Sequence, residues 1–130
     1  MTLEGATMIW TAWNSGTHRR SGAGYGFKVP AEDRDRYFRR DWHTVTVELQ
    51  EGRGVLAVEV NVAKDSFWGA ECRELIDEKV GRWLRGSGYA PWPRGTPPRF
   101  EVEAAGDRRF IVRRRVTPSK PFQGTGAARR

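Results

Sequence analysis

Two segments of this chain alternate apolar and polar residues on either side of a glycine turn, and they commit it to a sheet-based fold. In Thr44–Leu49, Val45, Val47 and Leu49 share one face while Thr44, Thr46 and Glu48 share the other. Val55–Val62 repeats the pattern, with Val58, Val60 and Val62 on one side. A period of two is the period of a strand. Glu51-Gly52-Arg53-Gly54 between them is a turn signal, so the pair reads as a hairpin with one apolar face. That face needs a second layer, or a sheet curled onto itself, to cover it.

The remaining segments supply such a sheet. Met8–Trp13 and Tyr25–Val29 read as strands, the second closed by Pro30. Arg99–Glu103 and Arg109–Arg113 read as a final hairpin around Ala105-Gly106-Asp107. Ala31–Trp42 is charged, with Tyr37, Phe38 and Trp42 at roughly helical spacing, and reads as a short helix or turn that docks its aromatics. Ser66–Arg85 reads as one long helix. Cys72, Leu75, Ile76, Val80, Trp83 and Leu84 recur at three- and four-residue intervals, Asp65 or Ser66 caps the start, and Gly86 and Gly88 end it. Tyr89–Pro98, with four prolines, is a stiff irregular crossing. The expected fold is mainly β with one long helix, a partly open β-pseudobarrel whose end the helix plugs. A layered α+β arrangement is the alternative. The chain's 130 residues suffice for one domain, expected over 1–113, with 114–130 a basic, disordered tail.

The charge is +7 but unevenly placed. Residues 113–130 hold six basic residues and no acid, so residues 1–112 carry 17 basic against 16 acidic. Within them, residues 14–40 hold seven basic and three acidic residues. The excess therefore lies in two patches, the region after the first strand and the tail, and each suits a polyanionic partner. Cys72 is the only cysteine, which excludes an intrachain disulfide and a cysteine-rich zinc site. No segment has the apolar length of a membrane span, and the N-terminal residues lack the pattern of a signal peptide. A cytoplasmic protein with no membrane partner is expected.

Between the first two strands lies a polar, glycine-rich arm. It carries Asn14, Ser15, Thr17, His18, Arg19 and Arg20, then Gly22, Gly24 and Gly26. The glycines do not make a phosphate loop, because no Gly-Lys-Ser/Thr follows and the run leads into a strand. A flexible hairpin connection is one reading. A loop entering a nucleic-acid groove is the other: Arg19 and Arg20 suit guanine edges or phosphates, and Asn14 suits adenine. His18 fits a hydrogen-bonding role, and His43 beside Trp42 a structural one. With no metal-ligand spacing in view, no metal or other cofactor is expected.

Lys64-Asp65-Ser66-Phe67-Trp68 reads either as a helix cap with aromatic packing or as a second contact loop in which Lys64 and Ser66 reach phosphate. Glu59 and Lys64 invite a nuclease reading, but the second acid that such a site needs is missing at matched spacing, and no catalytic residue is assigned. Arg34, Arg36, Arg39 and Arg40 alternate with acids and read as a solvated face. Most tryptophans fall in apolar patterns; Trp68 and Trp92 are the candidates to stack on a base if the partner is RNA or a modified base.

The order of elements, the segment Asn14-Ser15-Gly16-Thr17-His18 before Gly22–Gly26 and Lys28-Val29-Pro30, and the closing stretch Trp83–Val112 with its RFEVEAAGDRRFIV hairpin resemble the DNA-binding pseudobarrel superfamily. That superfamily includes plant auxin-response-type DNA-binding domains and the N-terminal recognition domains of type IIE restriction endonucleases. The resemblance spans residues 8–113. It implies a non-catalytic domain that grips the major groove of double-stranded DNA with two arms, here residues 14–25 and 64–68. The implied contacts are Asn14, Thr17, His18, Arg19, Arg20, Tyr25 and Lys28 with Lys64, Ser66 and Trp68. Ser15 stands where the restriction domains tend to have an acid, and Arg19 where they tend to have glutamine, so base preference is not carried over. An RNA-binding barrel and a protein-interaction or inhibitor module with a basic tail are the alternatives.

Overall fold

The computed structural model describes residues 6–116. Its strands are β1 (Ala6–Asn14), β2 (Tyr25–Lys28), β3 (Thr44–Glu51), β4 (Gly54–Asn61), β5 (Glu74–Ile76), β6 (Arg99–Ala104) and β7 (Arg109–Arg115). Three helices interrupt them: α1 (Ala31–Tyr37), α2 (Asp65–Trp68) and α3 (Glu78–Gly86). All seven strands form one sheet in the order β4-β3-β7-β6-β1-β2-β5. Every pairing is antiparallel except β3 with β7. The two edge strands, β4 and β5, approach each other without a ladder. The fold is thus mainly β, a nearly closed barrel, in agreement with the partly open barrel expected from the strand pattern.

The hairpin over β3 and β4 forms as read. Glu51 pairs with Gly54 across a two-residue turn, and Val45, Val47, Leu49, Val58, Val60 and Val62 are all buried. The barrel interior is aromatic. Trp10 on β1 sits 5.6 Å from both Phe27 on β2 and Phe110 on β7, and Phe38 stacks on Phe110 at 4.5 Å and 7°. Phe38 reaches this position because α1 stops at Tyr37 and the chain turns extended. The segment to Trp42 is therefore not helical throughout, although its aromatics dock as expected. At the other end Trp83 on α3 meets Phe27, Phe100 and Tyr89 and donates its indole N–H to Gln50 O at 2.6 Å. That contact seats α3 as the plug of that end.

The single long helix expected over Ser66–Arg85 is not present. The chain makes one turn of helix at α2, then β5, then α3. A continuous helix would set Cys72, Leu75 and Ile76 on one buried stripe. Instead Leu75 is fully buried, Ile76 is 39% exposed and Cys72 is exposed, so the three do not share one buried stripe. The energetic reason lies in β2. Its Phe27 is fully buried, so an unpaired backbone on that side would leave amides and carbonyls without water or partner, at ~1–3 kcal/mol each. β5 supplies the partner through Gly26↔Ile76, Phe27↔Leu75 and Lys28↔Glu74. Val29 N donates to Arg73 O and Asp77 N to Tyr25 O at either end of this ladder. Asp77 then caps α3, accepting from Lys79 N at 2.7 Å.

At the C-terminal side the sheet runs past the expected boundary at residue 113. Arg114 and Arg115 continue β7, pairing with Glu101 and Phe100 after a bulge, and Val116 N still donates to Arg99 O. The remaining tail, 117–130, lies outside the described residues.

Two glycines lock the arm to the plug. A Cβ on Gly81 of α3 would stand 2.6 Å from Gly22 Cα, and a Cβ on Gly22 would stand 2.7 Å from Arg82 N. The backbones touch, and only glycine allows it. We expect Gly81→Ala to lower stability by ~1–3 kcal/mol in urea unfolding. Gly86→Ala, where a Cβ meets nothing within 4 Å, should be neutral or slightly stabilising.

Candidate nucleic-acid interface

The arm is a folded loop. Ser15 N donates to Gly24 O, and the Asn14 side chain closes the base from within. Its Nδ2 donates to Thr17 O at 3.1 Å and to Gly24 O at 3.2 Å, and its Oδ1 accepts from Gly16 N at 2.8 Å. Asn14 is thereby committed to holding the loop's shape, and the adenine-reading geometry considered from sequence would require breaking that set. Gly22 N bonds back to Arg19 O, and positive φ angles at Gly16, Gly22 and Gly24 let the chain make these turns.

Below the arm lies a small polar network. Tyr25 is fully buried, and its hydroxyl sits 2.6 Å from His18 Nδ1 and 3.2 Å from Arg85 Nη1. Arg85 only donates, so the tyrosine oxygen accepts from it, and the His18 tautomer sets the direction of the His18–Tyr25 bond. Arg85 also donates to His18 O at 3.3 Å, and Trp92 packs edge-on against His18 at 4.8 Å and Tyr25 at 5.8 Å. Partial burial, and secondarily the Arg85 charge, lower the His18 pKa. The imidazole is neutral at pH 7. Tyr25 and His18 therefore position the arm from beneath, and the exposed groups above them are Thr17, Arg19 and Arg20.

The second group of sequence candidates lies elsewhere. The arm enters β2 at Tyr25, whereas the loop 62–73 enters β5 at Glu74, opposite Lys28. The two loops are thus at opposite ends of the β2–β5 ladder. Lys28 pairs with Glu74 at 3.5 Å. Lys64 is half-buried, with its pKa lowered by desolvation against the opposing pull of Glu74 and Cys72. Trp68 donates its indole N–H to Val62 O at 3.1 Å, lies edge-on to Phe67, and is covered by the Arg34 and Arg40 guanidinium groups at 5.4 and 5.0 Å. Ser66 is exposed, and its carbonyl accepts from Arg73 N. Arg34, read from sequence as part of a solvated face, is only 8% exposed. Its Nη1 donates to Phe67 O at 3.0 Å and to Gly69 O at 2.7 Å, which fastens this loop to α1. A guanidinium with two carbonyl acceptors is what permits its burial, but its spacing in the sequence is that of its exposed neighbours.

Unpartnered cations are more numerous at one end of the barrel than at the other. Among the described residues, Arg19, Arg20, Arg53, Lys79, Arg94, Arg99 and Arg115 are exposed and have no ion pair, hydrogen bond or ring contact through their side chains. They lie in the arm, the β3–β4 turn, the start of α3, the proline-rich crossing, the start of β6 and the end of β7. The register of the strands brings all of these to one end of the barrel. At the opposite end Arg36 and Arg108 are likewise exposed without a bonded side-chain partner, whereas Arg39 pairs with Asp41, Arg109 with Glu48 and Lys28 with Glu74, and Arg40 lies on Trp68. Arg39 and Arg109 also line a 360 Å³ cavity with an aromatic floor of Tyr37, Phe38, Trp42 and Phe110. Two arginines of the expected basic cluster are neutralised on the sheet, Arg113 by Glu103 and Arg114 by Glu101.

No catalytic or metal arrangement accompanies this surface among the described residues. Glu59 accepts from the Thr44 hydroxyl at 2.8 Å and from the Thr46 hydroxyl, and those bonds lower its pKa. It is not paired with Lys64. Among the described residues, no group of three or more histidine, cysteine and carboxylate side chains could hold a metal ion, and no helix is long and apolar enough to cross a membrane. Comparison with protein-family models, with curated proteins and with solved structures finds no match for this chain.

A titration follows from the His18 network. Its folded pKa lies below the ordinary 6.5, so between the two values the unfolded chain binds a proton that the folded chain does not. Stability is full above pH 6.5 and falls as the pH drops toward the folded pKa. We expect His18→Gln to flatten this part of the stability–pH curve, read as wild type minus variant so that His43 and the carboxylates cancel. An unchanged slope would place the His18 imidazole outside the network.

Proposed function

We propose that this domain binds double-stranded DNA without catalysis, using the arm end of the barrel. The observation that carries the reading is the concentration of unpartnered, exposed cations at that end, Arg19 and Arg20 among them, around a loop whose backbone is fixed. Phosphate neutralisation provides most of the affinity of such a surface, and a rigid loop loses little entropy on docking. Arg19 and Arg20 flank the tip, and their planar guanidinium groups suit phosphate oxygens or guanine edges. Arg94, Arg99 and Arg115 extend the positive surface along the same end. The resemblance to the DNA-binding pseudobarrels points the same way, with the arm in the groove. The 64–68 loop is assigned no base contact here, because Lys64 is drawn toward Glu74 and Trp68 is packed.

The test is a salt titration of duplex binding. Replacing Arg19 and Arg20 together by alanine should weaken binding roughly tenfold or more and reduce the slope of log K against log[salt] by about 2, since each phosphate contact contributes ~0.9. Both side chains are exposed, so the melting temperature should not move. Unchanged affinity and slope in the folded variant would remove the arm from the interface. Deleting 117–130 should lower affinity modestly and leave any sequence preference intact. Loss of all binding on that deletion would instead favour a protein-interaction module with a basic tail.

A further inference from the structure

Beside the arm the structure holds a cavity of about 460 Å³, bordered by Trp13, Asn14, His18, Trp92 and Arg94. Its size falls within the ~300–1,000 Å³ range of pockets that take small organic ligands. Its chemistry is specific. Trp13 is half-exposed at the end of β1, opposite Gly26, which has no side chain to cover it. Among the described residues Trp13 has no aromatic neighbour and no hydrogen-bond partner for its indole N–H. Trp92, on the proline-rich crossing, is held by His18 and Tyr25. The two indoles border one cavity without touching each other. His18 contributes an imidazole whose Nδ1 is occupied by Tyr25, which leaves Nε2 as its other polar atom. Arg94 adds a free charge at the mouth.

Two tryptophan rings, an imidazole nitrogen and a cation match a nucleobase with its attached phosphate: stacking surface, one edge hydrogen bond and one anion contact. A paired base inside a duplex cannot enter such a space. We infer that this cavity receives a single base turned out of the duplex that the arm holds. Trp13 is the stacking residue, His18 Nε2 the hydrogen-bond partner of the base edge and Arg94 the phosphate contact. The inference rests on the DNA-binding reading, and it adds to the groove-gripping arm a site for one extrahelical base.

The energetics give a direct readout. Turning out a base costs least where its pairing is already weak, so a mismatched duplex should bind more tightly than its matched counterpart. We expect a preference of roughly tenfold for duplexes differing at one central pair, measured by fluorescence anisotropy at one salt concentration. Trp13→Ala should abolish the preference and Trp13→Phe should retain part of it, while both variants keep the wild-type melting temperature because Trp13 lies outside the packed core. Equal affinity for matched and mismatched duplexes, or a preference that survives Trp13→Ala, would overturn the base site and leave the DNA-binding reading intact. A free single strand that outcompetes the mismatched duplex would overturn it as well, since the base would then come from unpaired DNA. No binding to any duplex would overturn both readings together.

Discussion

The three-residue ladder between β2 and β5 is the interaction on which the rest of this site depends. Gly26↔Ile76, Phe27↔Leu75 and Lys28↔Glu74 satisfy the outer edge of a strand whose Phe27 is fully buried. The same ladder fixes where α3 begins, because Asp77 both bonds to Tyr25 O and caps the helix. Starting there, α3 brings Gly81 against Gly22 and Arg85 beneath His18. Without β5 the plug would have no defined starting point and the arm no floor. The approach also needs glycine at both 22 and 81, so a backbone requirement, not a side-chain contact, ties the arm to the plug.

Much of the barrel is legible in the sequence because period-two alternation has one reading when both segments flank a glycine turn. Val45, Val47, Leu49, Val58, Val60 and Val62 are buried as that reading requires. The long helix misled for a definable reason. Leu75, Val80 and Leu84 all face the core, and their spacing of five and four is tolerated by a helical stripe. Only Ile76 and Cys72, apolar and exposed, break the pattern. A strand of three residues is too short to show alternation of its own. Asp77, a cap residue in the middle of the apolar stripe, is the one sequence signal that divides the segment.

The candidate site was legible in part. That the segment after β1 is polar, glycine-rich and locally basic is plain from composition, and the structure gathers Asn14, Thr17, His18, Arg19, Arg20 and Tyr25 there. Which of them face outward is not in the sequence. Asn14 and His18 carry donors as suitable for DNA as those of Arg19, yet their bonds run inward to Gly24 and Tyr25. Trp13 and Arg94 escaped notice because they are far apart in the chain and meet only through the β1–β2 register and the return of the proline-rich crossing. Arg34 shows the converse, a buried arginine among exposed ones, marked only by carbonyls contributed from residues 67 and 69.

Net charge alone does not locate the unpartnered cations of this molecule. Arg113 and Arg114 belong to the most basic run of the described chain, but they lie opposite Glu103 and Glu101 on the same sheet face, and those pairs consume the charge locally. Arg19 and Arg20 have no acid within the loop they occupy, residues 15–24. An exposed cation beside a carboxylate adds little to the field a polyanion meets; one without such a partner adds nearly its full charge within a Debye length of ~8–10 Å. The same arm is held by uncharged contacts, Gly22 on Gly81 and the Asn14 amide on three backbone groups. Shape and charge are therefore set by different residues, and substitutions at Arg19 and Arg20 change the charge of the arm while the loop that presents them keeps its form.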